Sequence, residues 1–117
     1  MRSLLVVCST IAALIGTACG NNPTTVASSC GSSGANANVN TPSSSNTFSP
    51  TSATITHGQT VCWQNSSSVA HTVTADNGDF DVNLPVGNIF LHTYPTAGTY
   101  TYHCKIHAAM TGTIVVN

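Results

Sequence analysis

Tyr102-His103-Cys104-Lys105-Ile106-His107-Ala108-Ala109-Met110 sets a thiol, an imidazole and a thioether at three-residue intervals, between two stretches that read as β-strands. A short loop with donors at that spacing can wrap a single ion. A soft thiolate, a borderline imidazole and a weak thioether suit copper better than any hard, oxygen-seeking cation, above all if a second histidine completes a trigonal set. His71, in Val69-Ala70-His71-Thr72-Val73-Thr74, is the candidate for that place. Taken singly, His71 reads as a strand histidine, Cys104 as an inert buried thiol and Met110 as core filler. Their order and spacing make them a metal set: His71, Cys104, His107 and Met110.

Outward from the loop, the chain from Phe48 onward is a succession of short Thr-, Val-, Ile- and Tyr-rich runs broken by Gly, Pro, Asn and Asp. No helical apolar period is sustained, so the domain is all-β. Strands are predicted over 51–56, 59–65, 71–75, 88–94, 99–104 and 112–116, with a further one before Phe48. His57-Gly58, Asn77-Gly78, Pro85-Val86-Gly87 and Ala97-Gly98 punctuate them. Strands at this density predict a two-sheet β-sandwich. Trp63, the one tryptophan, is its expected centre, with Val61, Val73, Phe90 and Ile114 around it.

The N-terminal third has another character. Met1-Arg2-Ser3 precedes an apolar run from Leu4 to Ile15, shorter than the ~20 residues that span a bilayer but suited to an export signal. Ile15-Gly16-Thr17-Ala18-Cys19 resembles a bacterial lipoprotein signal in which Cys19 is lipidated; Gly16-Thr17-Ala18 equally serves ordinary signal peptidase. Either way the cut falls after Ala18, and the location is exported: periplasmic, or anchored to a membrane through Cys19. Residues 19–45, rich in Asn, Ser, Thr and Gly, read as a linker, and 46–117 as the domain.

Cys8 leaves with the signal, Cys19 is the lipid candidate and Cys104 the metal candidate, so Cys30 and Cys62 remain of the five cysteines. In an oxidising compartment they either pair, stapling the linker to the sandwich, or Cys62 stays a small hydrophobe with Cys30 open to intermolecular pairing. After cleavage Lys105 stands against Asp76, Asp79 and Asp81, one positive against three negative side chains. Nothing basic remains for a nucleic acid. The three aspartates either steer a basic partner or are solvated turn residues beside Asn77-Gly78. Asn65-Ser66-Ser67 matches a glycosylation acceptor in form only, given a bacterial-type leader.

Thr99-Tyr-Thr-Tyr-His-Cys-Lys-Ile-His-Ala-Ala-Met-Thr-Gly-Thr-Ile-Val-Val116 resembles the terminal motif of the plastocyanin and amicyanin branch of the cupredoxins, with the short amicyanin-like spacing. Phe48-Ser-Pro50, Gly58-Gln-Thr-Val-Cys-Trp-Gln-Asn65 and Ala70-His-Thr-Val-Thr74 resemble the family's early strands and first ligand. The resemblance implies a Greek-key sandwich with one type 1 blue copper at one end, held by His71, Cys104, His107 and Met110. It also implies that His107 shows an edge to solvent among Ala108, Ala109, Pro85 and Val86, and that the Thr72 backbone donates a hydrogen bond to the cysteine sulfur. Cys62, where the family more often has a polar residue, and the lack of a proline beside His107 depart from the pattern.

The function implied is a monomeric carrier of single electrons, meeting a redox protein donor and acceptor transiently. It is not an enzyme: paired carboxylates, a nucleophile triad and a second copper cluster are all missing from the sequence. The alternatives are a copper binding or delivery protein, and a non-redox module of the same fold.

Overall fold

The computed structural model describes residues 29–117; the export signal and Cys19 lie outside the described residues. Eight strands follow in chain order: β1 (Ala37–Thr41), β2 (Ser52–Ile55), β3 (Thr60–Asn65), β4 (His71–Ala75), β5 (Asp81–Leu84), β6 (Ile89–Thr93), β7 (Gly98–His103) and β8 (Thr111–Val116). They form a three-stranded sheet ordered β1-β3-β6 and a five-stranded sheet ordered β2-β8-β7-β4-β5. The chain passes between sheets from β1 to β2, back to β3, across to β4, back from β5 to β6, and across again from β6 to β7. These crossings make it the expected Greek-key β-sandwich.

The buried faces of both sheets meet at Trp63. In register it lies between Val39 of parallel β1 and Phe90 of antiparallel β6. Its indole stacks on Phe90 at 5.5 Å and meets Tyr102 edge-on at 5.3 Å. Val61, Val73 and Ile114 are fully buried around it, each such side chain contributing about 1.5 to 3 kcal/mol of hydrophobic stabilisation. Phe90 is only half-buried, because β6 is an edge strand.

Two differences from the sequence-based expectation concern strands. Residues 19–45 are not linker throughout: a 3-10 turn at Cys30–Ser32 and all of β1 fall within them. Val39 and Thr41 are buried there. β1 is the further strand expected before Phe48, but it lies inside the Asn-rich stretch read as linker, because it gives the core only one large apolar residue and is held mainly by its parallel ladder to β3. Asp81–Leu84, read as part of a connection, is β5, an edge strand paired with β4 from Thr74↔Asp81 to His71↔Leu84. Asp and Asn are disfavoured in strands, and here they point outward while Val82 and Leu84 pack inward.

Cys30 and Cys62 are joined by a disulfide with a Cα separation of 5.6 Å. Around it the N-terminal segment is sewn to β3: Cys30 N–H donates to Gln64 Oε1 at 2.8 Å and Asn36 N–H to the Thr60 carbonyl at 2.8 Å. The turn covers Cys62, which would otherwise face outward from the sheet.

Candidate metal centre

His71 opens β4, and the connection from β7 to β8 carries Cys104, His107 and Met110. β4 and β7 are neighbours, paired through Thr74↔His103, so strand pairing alone brings the first histidine against the loop. His71 Nδ1 lies 3.2 Å from His107 Nδ1 and 3.9 Å from Cys104 Sγ, and His107 Nδ1 lies 3.8 Å from Cys104 Sγ. The point equidistant from these three atoms is about 2.1 Å from each, close to the metal–nitrogen and metal–sulfur lengths of a first-row ion bound by His and Cys. Among the described residues this is the one group of three His, Cys, Asp or Glu side chains close enough to share a metal.

The loop closes on itself beneath the triangle. Cys104 N–H donates to the Met110 carbonyl at 2.9 Å and Met110 N–H to the His107 carbonyl at 3.0 Å. Met110 is thereby fixed against Cys104, with its side chain buried. Two backbone N–H groups point at the cysteine sulfur, from Thr72 at 3.3 Å and from Ile106 at 3.4 Å. Hydrogen bonds of this kind to a ligating sulfur orient it and tune a metal that it holds.

Each imidazole is presented differently. His71 is 1 % exposed; burial, and then the neighbouring His107, push it below its ordinary histidine value, so it is neutral at neutral pH. Its tautomer follows from its other nitrogen, which lies 2.9 Å from Ser67 Oγ. The single Ser67 hydroxyl hydrogen has two acceptors, Asn65 Oδ1 at 2.7 Å and the Val69 carbonyl at 3.0 Å. Ser67 therefore receives from His71, whose Nε2 carries the proton and whose Nδ1 lone pair faces Cys104 and His107. His107, by contrast, is half-buried. Ile106, Ala108 and Ala109 beside it are exposed, as are Val69 ahead of His71 and Pro85-Val86 just past Leu84, its partner in the ladder.

Asn65, at the end of β3, organises the approach to His71 and is fully buried. Its amide donates to the carbonyls of Val69 and Leu84 at 2.8 and 2.9 Å. Its Oδ1 accepts from Thr41 Oγ1 at 2.9 Å and from Ser67 N–H at 2.9 Å, besides the Ser67 hydroxyl. A side chain so engaged is no glycan acceptor in the fold. Sequence reasoning missed Asn65 and Ser67 as supports of the site, although an Asn two residues before a Ser, at a strand end, is the signature of an Asx turn.

The remaining sequence candidates fall elsewhere. His103 turns away from the triangle and meets Asp76 at 2.5 Å. His92 packs between Phe80 and Tyr94, and His57 Nδ1 lies 3.0 Å from the Asn117 carbonyl. Asp81 is paired with Lys105 at 2.6 Å. Asp79 Oδ2 accepts from Asn77 Nδ2 at 2.9 Å, so all three aspartates have partners within the molecule.

Comparison with known proteins agrees with this geometry. A family model for the cupredoxin-like domain matches residues 10–116. Plastocyanin of Scenedesmus fuscus is 34% identical over 84 residues, covering 59% of this chain and 85% of that protein. Among solved structures, a purple cupredoxin from Nitrosopumilus maritimus matches with a TM-score of 0.64 at 28% identity, over 70% of this chain and 100% of that one. A reduced variant of amicyanin matches with a TM-score of 0.62 at 27% identity, over 72% of this chain and 83% of that one. The donor set and these relatives fit a single type 1 copper.

Proposed function

The chain belongs to the cupredoxin-like domain family, and from that premise we propose that it is an electron carrier in which His71, Cys104 and His107 would hold one type 1 copper, with the Met110 thioether as a weaker fourth donor. The observation that carries this is the triangle of two Nδ1 atoms and one Sγ, assembled from a rigid strand and a self-bonded loop. Bound copper supplies a one-electron couple between Cu(II) and Cu(I). The residues supply the rest. His71 is locked in one tautomer by Ser67, two backbone N–H groups orient the Cys104 sulfur, and burial keeps water from it. A compromise donor set held by two hydrogen-bonded elements rearranges little between oxidation states, which lowers the barrier to electron transfer.

His107 is the half-buried ligand, and its exposed apolar neighbours offer a surface on which a donor or acceptor protein can dock briefly. Such a surface suits a carrier rather than an enzyme. The proposal includes an export signal over 1–18, Cys19 as a lipid anchor, and a tether leading to a domain that starts near Ser29, placing the monomer outside the cytoplasm facing exported or membrane-bound partners.

The test is the visible and electron paramagnetic resonance spectrum of the purified protein after adding Cu(II), with Cys104→Ala as control. An intense sulfur-to-copper band and a narrow copper hyperfine splitting, both lost in the control, are expected. A colourless protein or an ordinary tetragonal copper spectrum sinks the electron-carrier reading and brings copper delivery forward.

A further inference from the structure

Thr72 and Thr74 lie on the outer face of β4, opposite His71 and Val73, yet both hydroxyl-bearing side chains are buried. Buried hydroxyls need partners, and theirs form a chain. Lys105 N–H donates to Thr72 Oγ1 at 2.8 Å, Thr72 Oγ1 lies 3.0 Å from Thr74 Oγ1, and Thr74 Oγ1 donates to Asp81 Oδ1 at 2.9 Å. The direction is fixed from the far end. An ionised carboxylate only accepts, so the Thr74 proton goes to Asp81; Thr72 must then donate to Thr74, which leaves the Thr72 oxygen to receive the Lys105 amide. The second Asp81 oxygen takes the Lys105 ammonium at 2.6 Å and closes the ring. Hydrogen bonds from Lys105 and then Thr74 hold the Asp81 carboxyl below its usual range, so it is ionised at neutral pH and keeps this polarity.

We propose that Asp81 is a positioning residue for the ligand loop: it terminates a one-way hydroxyl chain that pins the peptide after Cys104 to β4. The inference rests on the copper reading above for its purpose, though not for its geometry. An exposed Lys–Asp pair alone is worth little. Here the same carboxylate also orients two buried hydroxyls. The strand they sit on presents the Thr72 N–H to the cysteine sulfur, while the amide they capture belongs to the residue directly after that cysteine. Bonds in such a chain polarise one another, so the effect of Asp81 reaches the Lys105 amide through two threonines without touching a ligand.

The experiment compares Thr74→Val, which keeps the shape and removes the relay hydroxyl, Asp81→Ala, and Asp79→Asn, which removes a negative charge from the same turn outside the relay. Amide hydrogen exchange of Lys105 is followed in the full chain without added metal, and the sulfur-to-copper band is followed after adding Cu(II). Loss of one net hydrogen bond predicts exchange up to about tenfold faster at Lys105 in Thr74→Val and Asp81→Ala, and none in Asp79→Asn. A shifted copper band is expected in the first two variants only. Unchanged Lys105 exchange in Asp81→Ala, whose side chain is half-exposed and whose loss leaves the core intact, overturns the proposal even if Thr74→Val does not fold. If the unsubstituted chain lacks the copper band while relay variants exchange faster, the relay stands and the copper reading falls.

Discussion

The phenol of Tyr102 lies directly over Gly112, its cross-strand partner in the β7–β8 ladder, occupying the space a Cβ at position 112 would need. An added methyl would meet Tyr102 Cζ, Oη and Cε1, and the ring is wedged between Phe48 and Trp63 with nowhere to retreat. Gly112→Ala is expected to destabilise the domain by about 1 to 3 kcal/mol, the usual cost of overpacking, read as a lower urea midpoint with an unchanged slope.

Tyr102 has a second consequence. Its hydroxyl and the Trp63 Nε1 are both buried without a partner in hydrogen-bond geometry. Burial pushes the phenol up to about 12, outweighing the nearby Trp63, which acts the other way. Between its unfolded value near 10 and about 12 the unfolded chain releases a proton that the folded chain retains, so stability is complete below the window and falls as pH rises through it. Tyr102→Phe is expected to gain about 1 kcal/mol at neutral pH by removing an unsatisfied hydroxyl. It should also flatten the alkaline decline by up to about 1.4 kcal/mol per pH unit. Tyr94, raised in the same direction by burial, keeps part of the slope. Denaturant titrations at a series of alkaline pH values test both; an unchanged decline in the variant refutes the assignment.

Ser67→Ala removes the acceptor for His71 Nε2–H. Loss of a partner that orients a ligand typically costs 10- to 100-fold in metal affinity, so copper binding about that much weaker is expected. Ser66→Ala, one residue away and exposed, should bind as the parent does. Competition with a Cu(I) chelator provides the comparison.

Replacing Cys30 and Cys62 together by alanine opens a cross-link between residues 32 apart in sequence. The chain-entropy estimate for a loop of that size is about 3 to 4 kcal/mol. Thermal unfolding of the double variant against the parent measures it, and an unchanged midpoint would mean that the backbone bonds of Asn36 and Cys30 to β3 already do the fastening.

Much of this was legible beforehand because Cys104, His107 and Met110 sit in one loop, and a donor set so local leaves its spacing in the sequence. The alternation through Val61, Trp63, Val73 and Ile114 likewise marks buried strand faces. What escaped was whatever depends on partners distant in the chain. A strand before Phe48 is expected, but not its place within 19–45: β1 offers the core Val39 alone among large apolar residues, and β3 beside it sets where it forms. β5 carries Asp81 and Asn83 on its solvent side and pairs only as an edge. Asn65 and Ser67 announce a turn, but not that the turn ends on a histidine nitrogen. Thr72, Thr74 and Asp81 acquire their relay only once Lys105 is folded over them.

The cross-link between Cys30 and Cys62 also decides where a pull on the chain is felt. Tension arriving from upstream of Ser29 meets the covalent bond before it reaches β1, and passes into β3, the middle strand of its sheet. The edge strand is bypassed and cannot be peeled away one rung at a time. A molecule pulled from its N-terminal side therefore bears the load through the middle strand of its sheet rather than through the edge.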